Sequence, residues 1–511
     1  MTDRSASRAL LGRGSIYTIA TALQLAGALL VQPLLSRLLP KPDLGVTVVA
    51  VVVTATLGLL ISLGLPGVIT REYFQGGAEG KGAGVGPLVT LSIAVSILFG
   101  AVAFGAGWLW AAPLGGFTAP LMIATGTAVS YSVIVTGQAV QRARNEAGRF
   151  VLVVGINVLG GQVLGLGAIL LVERTATAYL LGVAAGSLIG AALGLYWARP
   201  SLAGLTDKAA LRGWFAFALP TVPHMAALYL MTAGDRYIVK ASNGDVASAD
   251  YGMAYLAGAL GITLVAATNN AWAPLIYGTP DDRRWQVLAT MTQDILRLAA
   301  IVAAGLAMTA PVALWIITDP KRFDVVALTP VVAITALATV PYVLYLASAH
   351  VLFWTGRTTP LIWITPTAVV LSLAAKALVL PEFGFEGLAV VTVASYALLA
   401  LLVGSVRRKL AEVPWRRRWP ELVGAAALCV LGAYLPPGWI GNSVRAVVTV
   451  ALLGLLVLVA RQLKADRKSA LGSAGSGSEG QQSTSVPDGQ PPTADAEAQP
   501  PAGVTKAGQK P

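Results

Sequence analysis

The chain has 511 residues, of which 56% are hydrophobic and only 12% charged, and its mean hydropathy is +0.71. Soluble domains carry about 25% charged residues, so this composition excludes an ordinary soluble protein. The net charge is +12, and the single cysteine, Cys429, excludes a disulfide framework and a cysteine-based metal centre.

Apolar stretches long enough to cross a bilayer recur from Gly14 to Leu463, with short polar breaks between them. A bilayer core about 30 Å thick takes about 20 apolar residues in a helix, so the chain is predicted to be an all-α polytopic membrane protein with about 14 transmembrane helices. In chain order they are Gly14–Leu38, Leu44–Gly67, Gly84–Trp110, Phe117–Val140, Phe150–Val172, Ala176–Trp197, Leu211–Ala233, Tyr251–Trp272, Met291–Ile317, Val325–Val351, Pro360–Leu380, Phe385–Val406, Trp419–Leu435 and Asn442–Leu463.

Lysine and arginine are retained on the cytoplasmic side of membrane proteins. They are denser in one set of alternate loops, which includes the N-terminal segment and the segment Arg407–Arg418. This distribution predicts a multi-pass protein of the plasma membrane with both termini in the cytoplasm. It also accounts for the positive net charge without a nucleic-acid partner.

The helices predict an N-terminal lobe over residues 14–200, a C-terminal lobe over 201–410 and two extra helices within 411–464. Residues 1–13 are the predicted cytoplasmic N terminus. Residues 465–511 are rich in Gly, Ser, Gln and Pro with almost no large apolar residue, which predicts a disordered cytoplasmic tail.

Motifs that carry catalysis are missing from the sequence: we find no serine–histidine–acid order, no HExxH and no phosphate-binding Walker loop. The predicted loops are also too short for a soluble catalytic domain. We therefore expect neither an enzyme nor a bound cofactor or metal.

Two features within the predicted helices bear on packing and bending. Glycines recur every fourth residue from Gly182 to Gly194, so they share one helix face and predict close packing against a neighbour. Pro220 and Pro223 each remove a backbone donor, which predicts a kink or break that could serve as a hinge. His224 follows directly, and a buried hydrogen-bonded histidine or a proton or cation site are the two interpretations.

Charged residues inside the bilayer cost about 2.5–3.5 kcal/mol each on insertion scales, so those that persist usually face a cavity or a partner. Asp294 and Arg297 are three residues apart and can pair on one helix face. Lys376 lies close to a predicted helix end, from where its side chain can reach the outer interface. The candidates for substrate binding or gating are Arg37, Arg71, Asp235, Arg236, His224, Arg297 and Lys376.

The chain repeats its plan after about 200 residues, which predicts two six-helix lobes in parallel orientation. The segments Pro33–Phe74 and Leu230–Tyr277 both pass from a basic residue at a helix end (Arg37, Arg236) through a short loop to a glycine (Gly45, Gly252).

Three stretches carry a resemblance to a known family. They are GSIYTIATALQLAGALLVQPLLSRLLPKPDLG with LGLPGVITREYF, then DRYIV with YGMAYLAGAL and AWAPLIY, and finally LVLPEFGFEGLAVVTVASY. Over about Gly14 to Leu410 the sequence resembles the polysaccharide exporter, or Wzx-type oligosaccharide flippase, family of the multidrug/oligosaccharidyl-lipid/polysaccharide superfamily. Lys376 stands where this pattern would place an asparagine.

The resemblance implies two lobes around a central cavity that opens alternately to each side of the membrane. It implies a polyprenyl-pyrophosphate-linked oligosaccharide as cargo, moved from the inner to the outer leaflet for assembly of a cell-envelope polysaccharide. Arg37, Arg71 and Arg236 are then expected to contact the anion or to gate, with Asp235 positioning Arg236. Membrane lipids, and an envelope polysaccharide polymerase or glycosyltransferases, are the expected partners.

Three rival functions stay open. A peptidoglycan-precursor flippase has a similar number of helices, but the basic pattern expected in its first helices is missing here. A cation-coupled multidrug exporter would place acidic residues deep within a lobe, whereas here they lie near the predicted helix ends. A non-transporting scaffold for envelope synthases could use the basic segment Arg407–Arg418, which could equally be a topology anchor beside anionic lipid.

Overall fold

The computed structural model describes residues 27, 30–75, 85–203, 205, 207–415 and 419–479, and all statements below concern these residues. Their regular elements are helical throughout, with no strand. The first half contains residues 30–38 (α1), Lys41–Ile61 (α2), Leu65–Gln75 (α3), Val85–Gly105 (α4), Gly107–Trp110 (α5), Ala119–Ala143 (α6), Ala147–Gly155 (α7), Gly161–Leu171 (α8) and Ala176–Ala198 (α9).

The second half contains longer helices, several of which are bent. They are Lys208–Ala218 (α10), Thr221–Ala233 (α11), Asp235–Gly258 (α12), Leu260–Tyr277 (α13), Asp281–Ile317 (α14), Val325–Leu337 (α15), Thr339–Trp354 (α16), Leu361–Arg408 (α17), Trp419–Tyr434 (α18) and Trp439–Glu479 (α19).

Ten helices in the described ranges are long and apolar enough to cross a membrane, and an eleventh span arises if α12 and the start of α13, bent by 49°, act together. The predicted number of about 14 spans exceeds this number of ten or eleven, and the reasons can be identified. The 48 residues of α17 would extend about 72 Å as one straight helix, but Gly384 is non-helical (φ 57°, ψ −148°) and divides α17 into two predicted spans. The predicted first helix lies mostly outside the described residues, and α18 has only 16 residues. The all-α polytopic membrane fold is confirmed.

The chain divides into a main unit, Met1–Val457, and a second unit, Leu458–Pro511. Helices of the main unit pack mostly with helices of their own half of the sequence: α6 packs on α2, α4 and α9, whereas α17 packs on α11, α15 and α16. We call α2–α9 the N-terminal bundle and α10–α18 the C-terminal bundle. The two bundles meet chiefly where α2 packs against α12.

The glycine face of α9 produces the expected close packing. A Cβ atom at Gly182 would lie 2.4 Å from the backbone nitrogen of Gly165, and one at Gly186 would lie 2.4 Å from Cα of Gly161. Glycine at these positions therefore lets α8 and α9 approach backbone to backbone.

The predicted seventh helix, Leu211–Ala233, agrees closely with the span Lys208–Ala233, but the predicted start of the eighth helix at Tyr251 is wrong. Helix continues beyond Ala233 and Gly234 as the first arm of α12, reverses at Gly244 (φ 79°, ψ −164°) and returns as a second arm from Asp245. The first arm carries many polar residues, so hydropathy assigned it to a loop. It is helical because several of these residues face protein instead of lipid, as Asp235 does with no exposed surface.

Pro220 separates α10 from α11 without a sharp bend between them. It stands between α10 and α11 with φ −64° and ψ −20°, which is right-handed helical backbone. Pro223 lies within the first turn of α11, where a missing backbone donor disrupts least.

Part of the predicted disordered tail is helical, because α19 continues to Glu479. Its continuation includes Lys464, Ala465, Arg467 and Lys468, which are good helix formers. The rest of the predicted tail, residues 480–511, lies outside the described residues, as does the predicted N terminus over residues 1–13.

Candidate functional site

A buried ion pair connects the first arm of α12 with α17. The ammonium group of Lys376 donates to Oδ2 of Asp235 over 3.1 Å, and neither side chain has any exposed surface. The Tyr251 hydroxyl donates to the same oxygen over 2.6 Å. Because two donors hold one carboxylate oxygen, Asp235 is fixed in position between the two arms of α12 and α17.

Arg236 is the partly accessible member of this cluster, with 13% of its side chain exposed. Its Nη1 lies 3.6 Å from Oδ1 of Asp235 and donates to the backbone oxygen of Thr232 over 3.1 Å. Its guanidinium carbon lies 4.4 Å from the centre of the Tyr255 ring, within the range of a cation–π interaction. These contacts orient the guanidinium group.

The charges of the cluster leave an excess of positive charge. One acidic side chain, Asp235, faces two basic side chains, Arg236 and Lys376. The buried hydroxyl of Tyr255 has no hydrogen-bond partner. A guanidinium group offers five N–H donors, so this arrangement can bind a phosphate-like anion.

Further tyrosines lie near Arg236, and their group extends to the N-terminal bundle. Tyr229 lies near Arg236, Tyr237 and Tyr131 of α6. The Tyr237 hydroxyl donates to Oγ1 of Thr56 in α2 over 2.8 Å, which joins the two bundles. Tyrosine combines an apolar ring with a polar hydroxyl, so this setting suits a ligand with both kinds of surface.

The bundles touch most closely where the start of α2, near Gly45, meets the reversal and second arm of α12. A Cβ atom at Gly45 would lie 1.8 Å from the backbone oxygen of Asp245, and one at Gly252 would lie 2.7 Å from Cγ1 of Val48. Lys41 pairs with Asp250 over 2.7 Å across the same contact. We call these residues the glycine seam.

Two arginines beside the seam bind helix ends in opposite halves of the sequence. Arg37, at the end of α1, donates to the backbone oxygen of Ile316 over 3.2 Å, near the end of α14. In return, Arg322, which follows α14, donates to the backbone oxygen of Leu39 over 2.8 Å. The last carbonyl groups of a helix lack partners within it, so each arginine stabilises an end of the opposite half. We call this pair of contacts the arginine clasp.

The structure brings together three of the predicted site residues, Asp235, Arg236 and Lys376, and the expectation for Lys376 is wrong. We expected its side chain to reach the outer interface, but it turns inwards to Asp235 and is completely buried. Asp235 is the first residue of α12, and its side chain is likewise completely buried.

The other predicted residues lie apart from the cluster. The guanidinium carbon of Arg71 in α3 lies 4.7 Å from the centre of the Phe217 ring in α10. Nδ1 of His224 lies 3.0 Å from Oγ1 of Thr365, which matches the hydrogen-bonded interpretation. Nε of Arg297 lies 3.5 Å from Oε1 of Glu421 in α18. Arg37 belongs to the clasp.

Sequence reasoning missed Tyr251 and Tyr255. They are four residues apart and share a helix face, which was a usable signal once that helix was taken to pack beside Asp235. Among the residues that the structure describes, no group of three or more histidine, cysteine, aspartate or glutamate side chains could hold a metal ion.

Comparison with solved structures defines the class of protein. The fold is similar to that of the lipid II flippase MurJ in an inward closed conformation, with a TM-score of 0.65 and 9% identity over 89% of this chain and 99% of that chain. It is also similar to the inward-facing structure of a multidrug resistance MATE family transporter of the MOP superfamily, with a TM-score of 0.58 and 14% identity over 81% and 95% of the two chains. At these identities the likeness shows the fold: this is a multi-pass membrane protein with the fold of MOP-superfamily transporters.

The sequence itself identifies the family. The family model described as "Polysaccharide biosynthesis protein" matches residues 11–278, just over half of the chain. The chain belongs to this family. A search of curated proteins found no match to the sequence.

Proposed function

We propose that this protein flips a polyprenyl-pyrophosphate-linked oligosaccharide from the inner to the outer leaflet of the plasma membrane, for assembly of a cell-envelope polysaccharide. The observation that carries this proposal is the buried, net positive cluster of Asp235, Arg236 and Lys376, in a chain of the polysaccharide biosynthesis family.

The chemistry of the cluster fits such a cargo. A pyrophosphate cannot cross hydrocarbon unaided, because moving an ion out of water carries a large desolvation cost. The guanidinium group of Arg236 can bind phosphate oxygens in a bidentate manner. Asp235 positions Arg236, and Lys376 holds Asp235 in place. The nearby tyrosines supply apolar rings and hydroxyls for the saccharide, while the polyprenyl chain stays among membrane lipids.

Flipping requires the two bundles to separate at one end while they close at the other. In this structure the glycine seam and the arginine clasp hold one end together. We assign Arg37 to gating at this end. Arg71 stacks on Phe217 and so also connects the bundles, and it becomes the candidate gate residue between α3 and α10. The break at Pro220 lies in the span Lys208–Ala233, which directly precedes α12, and is the proposed hinge.

A Gly45→Ala substitution is expected to open the glycine seam. The added Cβ atom would lie 1.8 Å from a backbone oxygen, so α2 and α12 must move apart. Overpacking of this kind typically costs 1–3 kcal/mol, which shifts a two-state equilibrium by roughly tenfold or more. The measurement is the rate at which an impermeant thiol reagent labels a Val48→Cys probe in a Cys429→Ser background, which should rise by a similar factor.

The matched control is Gly126→Ala, because a Cβ atom at Gly126 meets nothing within 4 Å. It should leave labelling unchanged. Equal protection of the probe in the Gly45→Ala protein and in its parent would mean that the seam does not close this end.

Deletion of the gene in its native host tests the proposed cargo. We expect a complete polyprenyl-linked oligosaccharide to accumulate on the inner leaflet, detected by mass spectrometry of extracted lipids and by protection from an impermeant glycan-modifying probe. Expression of the wild-type chain should restore exposure, whereas an Arg236→Ala chain should not. An unchanged lipid pool would reject this cargo.

Lipid II flipping is the second candidate function, because the fold similarity to MurJ extends over 89% of this chain. Accumulation of a peptidoglycan precursor in the deletion strain would favour it. Multidrug export is less well supported: the buried carboxylate of Asp235 is already neutralised by Lys376 and bound by Tyr251, so it offers little to a coupling cation. Raised sensitivity to cationic dyes with an unchanged lipid pool would favour that function instead.

A further inference from the structure

A separate cavity of about 950 Å³ lies between the end of α14, the start of α15 and the first turns of α19. Most of its wall is apolar and includes Trp315, Val326 and Val450. These side chains are 61%, 57% and 69% exposed, so the cavity opens to the surroundings of the protein. Its volume lies in the upper part of the range of about 300–1,000 Å³ that is usual for small-molecule sites.

A buried arginine forms part of this wall. Arg445 is only 7% exposed, and its Nη2 donates to the backbone oxygens of Gly432 and Leu435 at the end of α18, over 3.1 and 2.9 Å. Its Nε is buried and has no hydrogen-bond partner. A buried donor of a charged group is costly to leave unsatisfied, and a ligand in the cavity that supplies an acceptor would satisfy it.

An acidic residue completes the wall. Asp324 lines the cavity, and its Oδ1 accepts a hydrogen bond from the backbone nitrogen of Ala327 at the start of α15. No ion pair joins Asp324 to Arg445 within the described part of the chain. The basic side chain of Arg445 and the acidic side chain of Asp324 therefore both border an apolar space. A ligand that carries a positive and a negative charge can contact both.

We propose that this cavity binds one zwitterionic phospholipid with a primary amine, of the phosphatidylethanolamine class. The phosphate accepts from Nε of Arg445, the ammonium group faces Asp324, and an acyl chain covers the apolar wall. The bound lipid fills the space between α14 and the first turns of α19. It contacts Arg445, which in turn donates to backbone oxygens at the end of α18. This site is independent of the cluster around Asp235.

Native mass spectrometry of the full chain tests the proposal, after extraction by a mild detergent from vesicles of equimolar phosphatidylethanolamine and phosphatidylglycerol. The wild-type chain should retain one phosphatidylethanolamine. A Val450→Trp substitution fills the cavity from an exposed position, and it should reduce the retained fraction by roughly tenfold or more. Val447→Trp is the matched control, because Val447 is equally exposed on the same helix but does not line the cavity.

A second variant tests the charge pairing without loss of the helix cap. Asparagine caps helices as well as aspartate does, so Asp324→Asn should fold normally but retain the two phospholipids equally. Equal retention in the wild type and in Val450→Trp would overturn the proposal. Equal retention of the two phospholipids by the wild type would also overturn it. The same holds if the wild type carries a second copy of this chain instead of a lipid and Val450→Trp removes that copy.

Discussion

A Lys376→Met substitution is expected to destabilise the protein by about 3–5 kcal/mol, the typical cost of removing one partner from a buried ion pair. It would leave the carboxylate of Asp235 without its ammonium partner, in a position with no exposed surface. Tyr251 would still donate to that carboxylate, but a neutral hydroxyl cannot replace a full charge. The measurement is the urea concentration at which half of the purified protein in detergent is unfolded. The readout is the loss of its monodisperse peak in size-exclusion chromatography.

A double variant separates the ion pair from general damage to α17. Replacing both partners, with Lys376→Met and Asp235→Asn, removes the buried carboxylate together with its ammonium partner and should recover part of the lost stability, although Arg236 then loses the carboxylate beside it. A double variant that is no more stable than the single one would show that Lys376 stabilises the fold through packing and not through Asp235.

An Arg236→Ala substitution is expected to lower the rate of flipping by about 100-fold or more while the protein stays folded. A hydrogen bond to a charged group contributes about 1.5–3 kcal/mol, and a bidentate contact with the cargo would remove two of them. Asp235 keeps its contact with Lys376 in this variant, so the buried carboxylate stays paired. The initial rate of flipping in proteoliposomes, normalised to folded protein, measures the effect.

Two further variants make this result specific. Arg236→Lys keeps the charge but loses the planar fork of donors, so an intermediate rate is expected. Arg283→Ala removes a guanidinium whose side chain is 77% exposed, and it should leave the rate unchanged. Wild-type rates in Arg236→Ala would remove Arg236 from cargo binding.

Hydropathy predicted most of the fold, because long apolar stretches joined by short polar segments have few alternatives to membrane-spanning helices. It failed at the first arm of α12, where Asp235, Arg236, Lys240 and Ser242 looked like a loop. Hydropathy measures the average polarity of a segment, and it cannot tell whether a polar side chain meets water or a buried partner.

The site could be predicted only in part. The cost of charge in a bilayer singled out Asp235, Arg236 and Lys376, and the structure brings these three residues together. That Lys376 and Asp235 contact each other across 141 positions of the chain could not be read from either local segment. Without that contact, the position of Lys376 near a predicted helix end favoured an outward-reaching side chain, which was wrong. Arg37, Arg71 and Arg297 were selected by the same cost, yet all three lie outside the cluster. Arg37 is at a helix end, Arg71 is at a contact between the bundles, and Arg297 is in the middle of α14 beside Glu421 of α18.

Reconstitution of the purified chain tests the central proposal most directly. The full-length protein would be placed in liposomes that contain the polyprenyl-linked oligosaccharide extracted from the deletion strain, and an external glycan-modifying reagent would report which molecules reach the outer leaflet. We expect the wild-type protein to expose nearly the whole pool, while empty liposomes and the Arg236→Ala protein leave the inner-leaflet fraction protected. Protection of that fraction with the folded wild-type protein present would contradict the proposal that this chain flips a lipid-linked oligosaccharide.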